Sequence, residues 1–275
     1  VVLATVAYPR INPIALSLGP ISVHWYGLAY VTGFVAAAWI LRGLARRWAL
    51  GLTDDDVLNV LLAAVIGVIA GGRLGYVLFY GGSYYLESPA RILALWDGGM
   101  SFHGGLIGIL LAGVVVSRTM GIPWLTLCDL GAVGAPIGIG LGRLANFVNG
   151  ELWGRVTTAP WGMVFPGAGP LPRHPSQLYE ALLEGAVLFC VMLWLARKTP
   201  PRPRGELLGW LLTVYGTARI VVEFFREPDG QLGFLAGGWL TMGMLLSVPM
   251  VLAGVWLIVM ARHRNLPQAV RTGGV

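Results

Sequence analysis

The sequence predicts an all-α integral membrane protein with seven transmembrane helices, its N-terminus outside and its C-terminus cytoplasmic. Three observations lead there. Of the 275 residues, 56% are hydrophobic and only 12% are charged, about half the charged fraction of an ordinary soluble domain. Apolar runs long enough to cross the hydrocarbon of a bilayer, which takes about 20 helical residues, recur along the whole chain. The basic residues gather in alternate connections between those runs, the pattern that sets membrane orientation.

Taken in order, Val1 to Pro20 is broken by Pro9, Pro13 and Pro20 and reads as an interfacial arm (1–20). It has no basic n-region and no A-x-A site behind a short apolar core, so a cleaved signal peptide is not expected. Spans are expected near 22–41, 57–80, 102–117, 125–142, 178–196, 207–225 and 239–261, all in a single transmembrane domain over 1–275. With the N-terminus outside, Arg42, Arg46, Arg47, Arg118, Arg197, Lys198, Arg202, Arg204, Arg262, Arg264 and Arg271 fall in the cytoplasm. Only Arg10, Arg91, Arg155, Arg173 and Arg226 fall outside, which is the expected bias. Residues 262–275 form a cytoplasmic tail. The connection 147–174, rich in Gly, Pro and Trp, is too interrupted to span and reads as a small external cap, with Trp153 and Trp161 at headgroup level.

In the second span, Gly67, Gly71 and Gly75 form two G-x-x-x-G steps, which favour close helix approach. The fourth span repeats the device at Gly134, Gly138 and Gly142. Cys128 and Cys190 lie in apolar runs without C-x-x-C spacing, so both read as core packing. The net charge of +6 is divided among short loop clusters; nucleic acid is therefore not an expected partner. No metal spacing such as H-E-x-x-H is present, so neither a metal nor a cofactor is expected.

Ionisable residues at membrane depth cost about 2.5 to 3.5 kcal/mol each on insertion scales, so those present need a reason. Gly142 to Gly154, G-R-L-A-N-F-V-N-G-E-L-W-G, places Arg143, Asn146, Asn149 and Glu151 at the end of the fourth span. Arg143 alone could be a snorkelling anchor, but three polar neighbours argue for a site. Glu151 could pair with it and hold it in place. In the sixth span Tyr215, Arg219, Glu223 and Arg226 are spaced 4, 4 and 3, which puts them on one stripe. The alternative for Arg219 is a structural ion pair with Glu223. At the start of the fifth span Pro175 fits the first helical position, and Gln177, Glu180 and Glu184 share a face. His103 is followed by Gly104 and Gly105, which leave room beside an imidazole suited to accept a proton near neutrality. Arg73, inside the second span, joins the candidate set as the member closest to a structural role.

Arginines converging at headgroup depth suit a phosphodiester, because guanidinium forks grip phosphate oxygens bidentately. The residues therefore point to a phospholipid headgroup site without naming a reaction. A transporter or a non-catalytic phospholipid-binding scaffold stays open beside an enzyme.

The motifs H-W-Y-G at His24 to Gly27, S-F-H-G-G-L from Ser101, G-R-L-A-N-F-V-N-G-E-L-W-G from Gly142, R-H-P-S-Q-L-Y-E at Arg173 to Glu180 and E-F-F-R-E-P-D at Glu223 to Asp229 resemble, in order, those of bacterial prolipoprotein diacylglyceryl transferases. The resemblance runs from about residue 19 to 260, and the chain is short between Pro166 and Arg173 against members with a longer insertion there. It implies transfer of the sn-1,2-diacylglyceryl group of phosphatidylglycerol to the lipobox cysteine thiol of a prolipoprotein signal peptide, giving a thioether and glycerol phosphate. It implies a multi-pass protein of the bacterial inner membrane with its active site toward the periplasm. His103, Arg143 and Arg219 would be catalytic. Tyr26, Arg73, Gly104, Asn146, Asn149, Glu151, Gly154, Tyr215 and Arg226 would bind substrate.

Overall fold

The structure, a computed structural model, describes residues 6–19, 21–228 and 233–268. The first residues of the expected arm, Pro20, Asp229 and the tail beyond 268 lie outside the described residues. The chain divides into two compact units, 1–40 with 129–267 and 41–128 with 268–275.

The long elements fall where the apolar runs lie. They are α1 (Trp25–Arg47), α2 (Asp54–Tyr80), a short α3 (Tyr84–Glu87), α4 (Phe102–Met120) and α5 (Trp124–Asn149), followed by α6 (Ser176–Glu180), a π-helical turn (Ala181–Val187), α7 (Leu188–Ala196), α8 (Glu206–Glu223) and α9 (Met242–Arg264). The segments α6, π turn and α7 run on as one helix, Ser176–Ala196. Among the described residues, six helices are long and apolar enough to cross a membrane: α1, α2, α4, α5, Ser176–Ala196 and α9. The sixth expected span is helical as α8, but its 18 residues include Glu206, Arg219 and Glu223. Large apolar side chains such as Trp39, Phe79, Leu252 and Trp256 face outward, as hydrocarbon-facing surfaces do.

The N-terminal arm departs from an all-α reading. Ile14–Leu18 (β1) and Ile21–His24 (β2) pair antiparallel, with Ser17 opposite Ser22, and Gly19 takes the positive φ of 60° that the tight turn requires. Pro175 is likewise the residue before the helix, not its first, since α6 starts at Ser176.

In the unit 41–128, α2 begins with a capping box. Thr53 accepts from the Asp56 N–H at 3.1 Å, and Asp56 accepts from the Thr53 N–H at 2.9 Å, which satisfies donors that a helix start leaves orphaned. Val116, Ile122 and Leu127 form its small apolar core. The glycine steps of α2 meet α4 backbone to backbone: a Cβ added at Gly71 would lie 2.4 Å from the Gly104 carbonyl oxygen, and one at Gly108 only 1.9 Å from that of Gly67. Gly108→Ala should therefore force the two helices apart, with overpacking costs of about 1 to 3 kcal/mol, read as a lower thermal midpoint in detergent. An unchanged midpoint would remove the close approach as a source of stability.

In the other unit, the C-terminal part of α5 packs on the π turn. A Cβ at Gly185 would lie 2.6 Å from Gly140 Cα. The contact with the π turn thus uses Gly140; Gly138 is instead approached by α1, where a Cβ at Gly33 would lie 3.3 Å from its Cα, and a Cβ at Gly142 would meet nothing within 4 Å. Helices α8 and α9 meet through Gly209 and Gly254. The start of α8 is capped from afar by Asp129, fully buried, which accepts from the N–H groups of Gly205 at 2.7 Å and Leu208 at 2.8 Å. Val133, Leu188, Met192, Leu207 and Val222 form the apolar interior. Cys190, expected in a core, is exposed on its helix.

Candidate active site

In the unit 1–40 with 129–267, four helix ends meet: the start of α1, the end of α5, the start of α6 and the end of α8. The fourth apolar run does not stop at Gly142, since α5 continues to Asn149. Arg143, Asn146 and Asn149 therefore stand three residues apart on its last two turns, on neighbouring positions of one surface.

Arg143 reaches into a cluster of carboxylates. Its Nε lies 2.7 Å from Glu180 Oε2 and 3.8 Å from Glu184 Oε2. Arg219, from α8, places Nη1 3.1 Å from the same Glu180 oxygen and 3.5 Å from Glu184 Oε1, and pairs through Nη2 with Glu223 one turn on. Glu223 accepts in turn from Thr241 Oγ1 at 2.6 Å. Glu180 and Glu184 have no exposure at all, while the Arg143 side chain keeps 21% and that of Arg219 keeps 12%. The two arginines thus differ in what is left over. Arg219 has both terminal nitrogens on carboxylates, whereas Arg143 is held through Nε and has Nη1 and Nη2 unclaimed among the described residues.

Beside Arg143 runs a hydrogen-bond network. Asn146 Nδ2 donates to the Tyr26 hydroxyl and, at 3.0 Å, to Glu151 Oε1; Asn149 Nδ2 donates to the same oxygen at 3.3 Å. Glu151 is therefore engaged by the asparagines, and the direct ion pair with Arg143 considered from the sequence is not formed. Gln177 fixes the Glu151 backbone by donating to its carbonyl at 2.6 Å. Tyr8 donates to the carbonyls of Phe147 at 2.6 Å and Val148 at 3.0 Å, tying the N-terminal arm to the end of α5.

The segment after α5 is folded by bridges, not by helix. Gly154 pairs with Arg226, and Val156 and Met163 with Arg173. A Cβ at Gly154 would lie 2.5 Å from the Phe225 carbonyl oxygen and 2.7 Å from His174 Cβ, so the chain passes there only as glycine. Arg226 sits past the end of α8 in this bridge and not on the α8 stripe, which consists of Tyr215, Arg219 and Glu223. Arg155, outside the expected set, braces the same corner by donating to the carbonyls of Arg226 at 3.0 Å and Glu223 at 2.9 Å. His174 sits against Tyr179, Nδ1 to hydroxyl 3.1 Å, and Phe225; burial pushes its imidazole below the ordinary 6.5, which favours the neutral form.

In the unit 41–128, Arg73 is buried and gives its guanidinium to backbone carbonyls: Ile92 at 2.8 Å, Arg91 at 2.7 Å, Ala94 at 2.9 Å, Gly99 at 3.2 Å, and Gly98. It organises the loop between α3 and α4 and has its donors spent on it. Gly104, expected to leave space for substrate, faces α2 instead, where a Cβ would lie 2.3 Å from the Gly71 carbonyl oxygen. His103 is in the first turn of α4, whose N-cap Ser101 accepts from the Gly104 N–H at 3.2 Å. Its ring is exposed, with an edge contact to Phe102 at 5.7 Å.

Comparison with known proteins gives a match to prolipoprotein diacylglyceryl transferase over residues 13–260. The chain belongs to the prolipoprotein diacylglyceryl transferase family. A relative from Geobacter sulfurreducens, named phosphatidylglycerol–prolipoprotein diacylglyceryl transferase, is 53% identical over 259 residues, 94% of this chain and 98% of its own. One of the same name from Brucella anthropi is 52% identical over 262 residues, 92% of each chain.

In this member of the family, the structure brings together Tyr26, Arg143, Asn146, Asn149, Glu151 and Arg219 with their partners, and threads Gly154 and Arg226 into the adjoining corner. Sequence reasoning placed Glu180 and Glu184 on one face but outside the site. The signal was present: a carboxylate within an apolar span needs a cationic partner, and only arginines on other spans could supply one.

Proposed function

We propose that this membrane protein is the enzyme that moves the sn-1,2-diacylglyceryl group of phosphatidylglycerol onto the cysteine thiol of a prolipoprotein lipobox, releasing glycerol phosphate. Donor and acceptor follow from the names of its relatives. The observation that carries the reading in the structure is the Arg143 guanidinium, paired at Nε with Glu180, its terminal nitrogens unclaimed among the described residues and part of its side chain accessible. That is the arrangement a phosphate fork needs.

In the reaction, the cysteine sulfur forms a bond to the terminal glyceryl carbon while the bond from that carbon to the phosphate oxygen breaks. The thiol proton goes to a base, the role that the S-F-H-G-G-L motif gives His103, and both electrons of the broken bond leave with the phosphate. A thiol with an ordinary pKa of about 8.5 is mostly protonated at neutral pH, so a base raises the reactive thiolate fraction. Arg143 grips the phosphate and meets the charge that grows on it, where preorganised donors count most. Arg219, spent on three carboxylates, acts chiefly by holding the cluster. Asn146, Glu151 and Tyr26 orient the headgroup hydroxyls. The displacement changes no oxidation state and draws on no cofactor.

The reading includes α8 as a seventh span, because its charged residues turn toward protein partners and not outward. It also keeps the N-terminus outside, the 147–174 segment as a cap on the periplasmic side, and the bacterial inner membrane as the location. Release of glycerol phosphate from phosphatidylglycerol by the purified chain should require a lipobox peptide bearing cysteine and cease with the Cys→Ser peptide. Release that ignores the peptide would mean a phospholipase, and uptake into vesicles without release would mean a transporter.

A further inference from the structure

We infer that Glu180 is a positioning residue for the transfer reaction: by holding Arg143 through Nε, it aims Nη1 and Nη2 at the phosphate of the anionic phospholipid. The inference rests on the function proposed above and adds a residue to its machinery.

The geometry singles out one oxygen. Glu180 Oε2 lies 2.7 Å from Arg143 Nε in an ion pair and accepts from Arg219 Nη1 at 3.1 Å, so a carboxylate on α6 joins guanidiniums from α5 and α8. Its second oxygen, Oε1, is buried without a hydrogen-bond partner among the described residues. An acid with no exposure that leaves half of its acceptor capacity unused is a poor choice for stability, since apolar side chains of similar volume often do as well or better. It is a good choice for holding a planar cation at one edge. An ion pair at Nε holds the guanidinium by one edge with its terminal pair turned outward, and among the described residues Arg143 has that anchor and the more distant Glu184.

The local fold serves the same end. The π turn starts at Ala181, directly after Glu180, and widened turns of this kind concentrate at functional sites. One residue past Glu184, Gly185 lets α5 approach until a Cβ would lie 2.6 Å from Gly140 Cα. Gly140 is three residues before Arg143, so this contact sets the reach of the arginine to the carboxylate.

The carboxylates around Arg143 and Arg219 also outnumber the guanidiniums by one. Attraction of an anionic headgroup by net charge is therefore not what the cluster offers; directed hydrogen bonds are. Removing the Glu180 charge should leave lipid binding intact or tighter while the aim is lost.

The test compares the full chain and Glu180→Gln, in mixed micelles of detergent and phosphatidylglycerol with a lipobox peptide. Expected is a fall in kcat on the order of 100-fold, the scale of a misplaced catalytic group, with KM for phosphatidylglycerol unchanged or lower. Because both side chains act through one fork, Glu180→Gln should add little to the loss caused by Arg143→Lys. If Glu180→Gln yields no folded protein, Glu180→Asp takes its place, keeping the charge but too short to span both arginines, with the same kcat loss expected. Full kcat per folded molecule, or losses that multiply with those of Arg143→Lys, would overturn the inference and leave Glu180 as a structural partner of Arg219. Absence of turnover by the unmodified chain would instead bring down the transfer function, and this inference with it.

Discussion

Arg143→Lys is expected to lower kcat for diacylglyceryl transfer by about 100- to 1000-fold, the scale seen when one preorganised donor to developing charge is removed. The substitution keeps the positive charge, so an electrostatic account by net charge predicts little effect. The structure argues otherwise. Arg143 performs two tasks in one plane: Nε forms an ion pair with Glu180 Oε2 at 2.7 Å, and the terminal pair is left for phosphate. A lysine has a single ammonium on a flexible stem; it can pair with Glu180 or reach the phosphate, but it does not offer a fork held at its edge. KM should rise less than kcat falls, because the attraction between cation and headgroup survives. Steady-state rates across phosphatidylglycerol concentrations separate the two, and full activity would remove bidentate recognition from the mechanism.

His103→Ala is expected to remove about 100- to 10,000-fold of turnover, the range for loss of a general base, while the thermal midpoint stays near that of the unmodified chain. The contrast follows from where the residue sits. Its ring is exposed and, among the described residues, has only an edge contact with Phe102, and alanine in the first turn of a helix is well tolerated. A large kinetic loss with an unchanged fold would therefore reflect chemistry. Phosphatidylglycerol should still bind the variant, which distinguishes this result from damage to the headgroup site. Turnover within a few-fold of normal would return His103 to the role of an interfacial histidine.

How much of this could be read from the chain depends on the kind of signal. Helix positions were legible because a spanning helix must be apolar over about 20 residues, and all the expected runs are helical. The glycine steps of the second span were legible for the same local reason: a G-x-x-x-G stripe has one geometric use in an apolar helix. Its partners were not, so Gly104 read as space for substrate when it is the surface on which Gly71 packs. The hairpin of Ile14–His24 was obscured by prolines that suggest irregular chain.

Arg143 and Asn146 could be picked out as polar residues in an apolar setting. Which group each would meet depends on contacts across some 35 to 120 positions of sequence, as between Glu180 and Arg219 or Asn146 and Tyr26. Periodicity gives the face of a helix and is silent about what comes to lie opposite. Arg73 illustrates the point: its partners are carbonyls of a loop about 20 residues on, groups that every sequence carries and none advertises.

The reaction itself is tested most directly on its product. A lipobox peptide incubated with the purified chain and phosphatidylglycerol should gain, on its cysteine, the mass of one diacylglyceryl group, read by mass spectrometry with fragmentation to place the thioether. A peptide of unchanged mass beside folded protein with phosphatidylglycerol bound would contradict the transfer and leave a headgroup-binding membrane protein in its place.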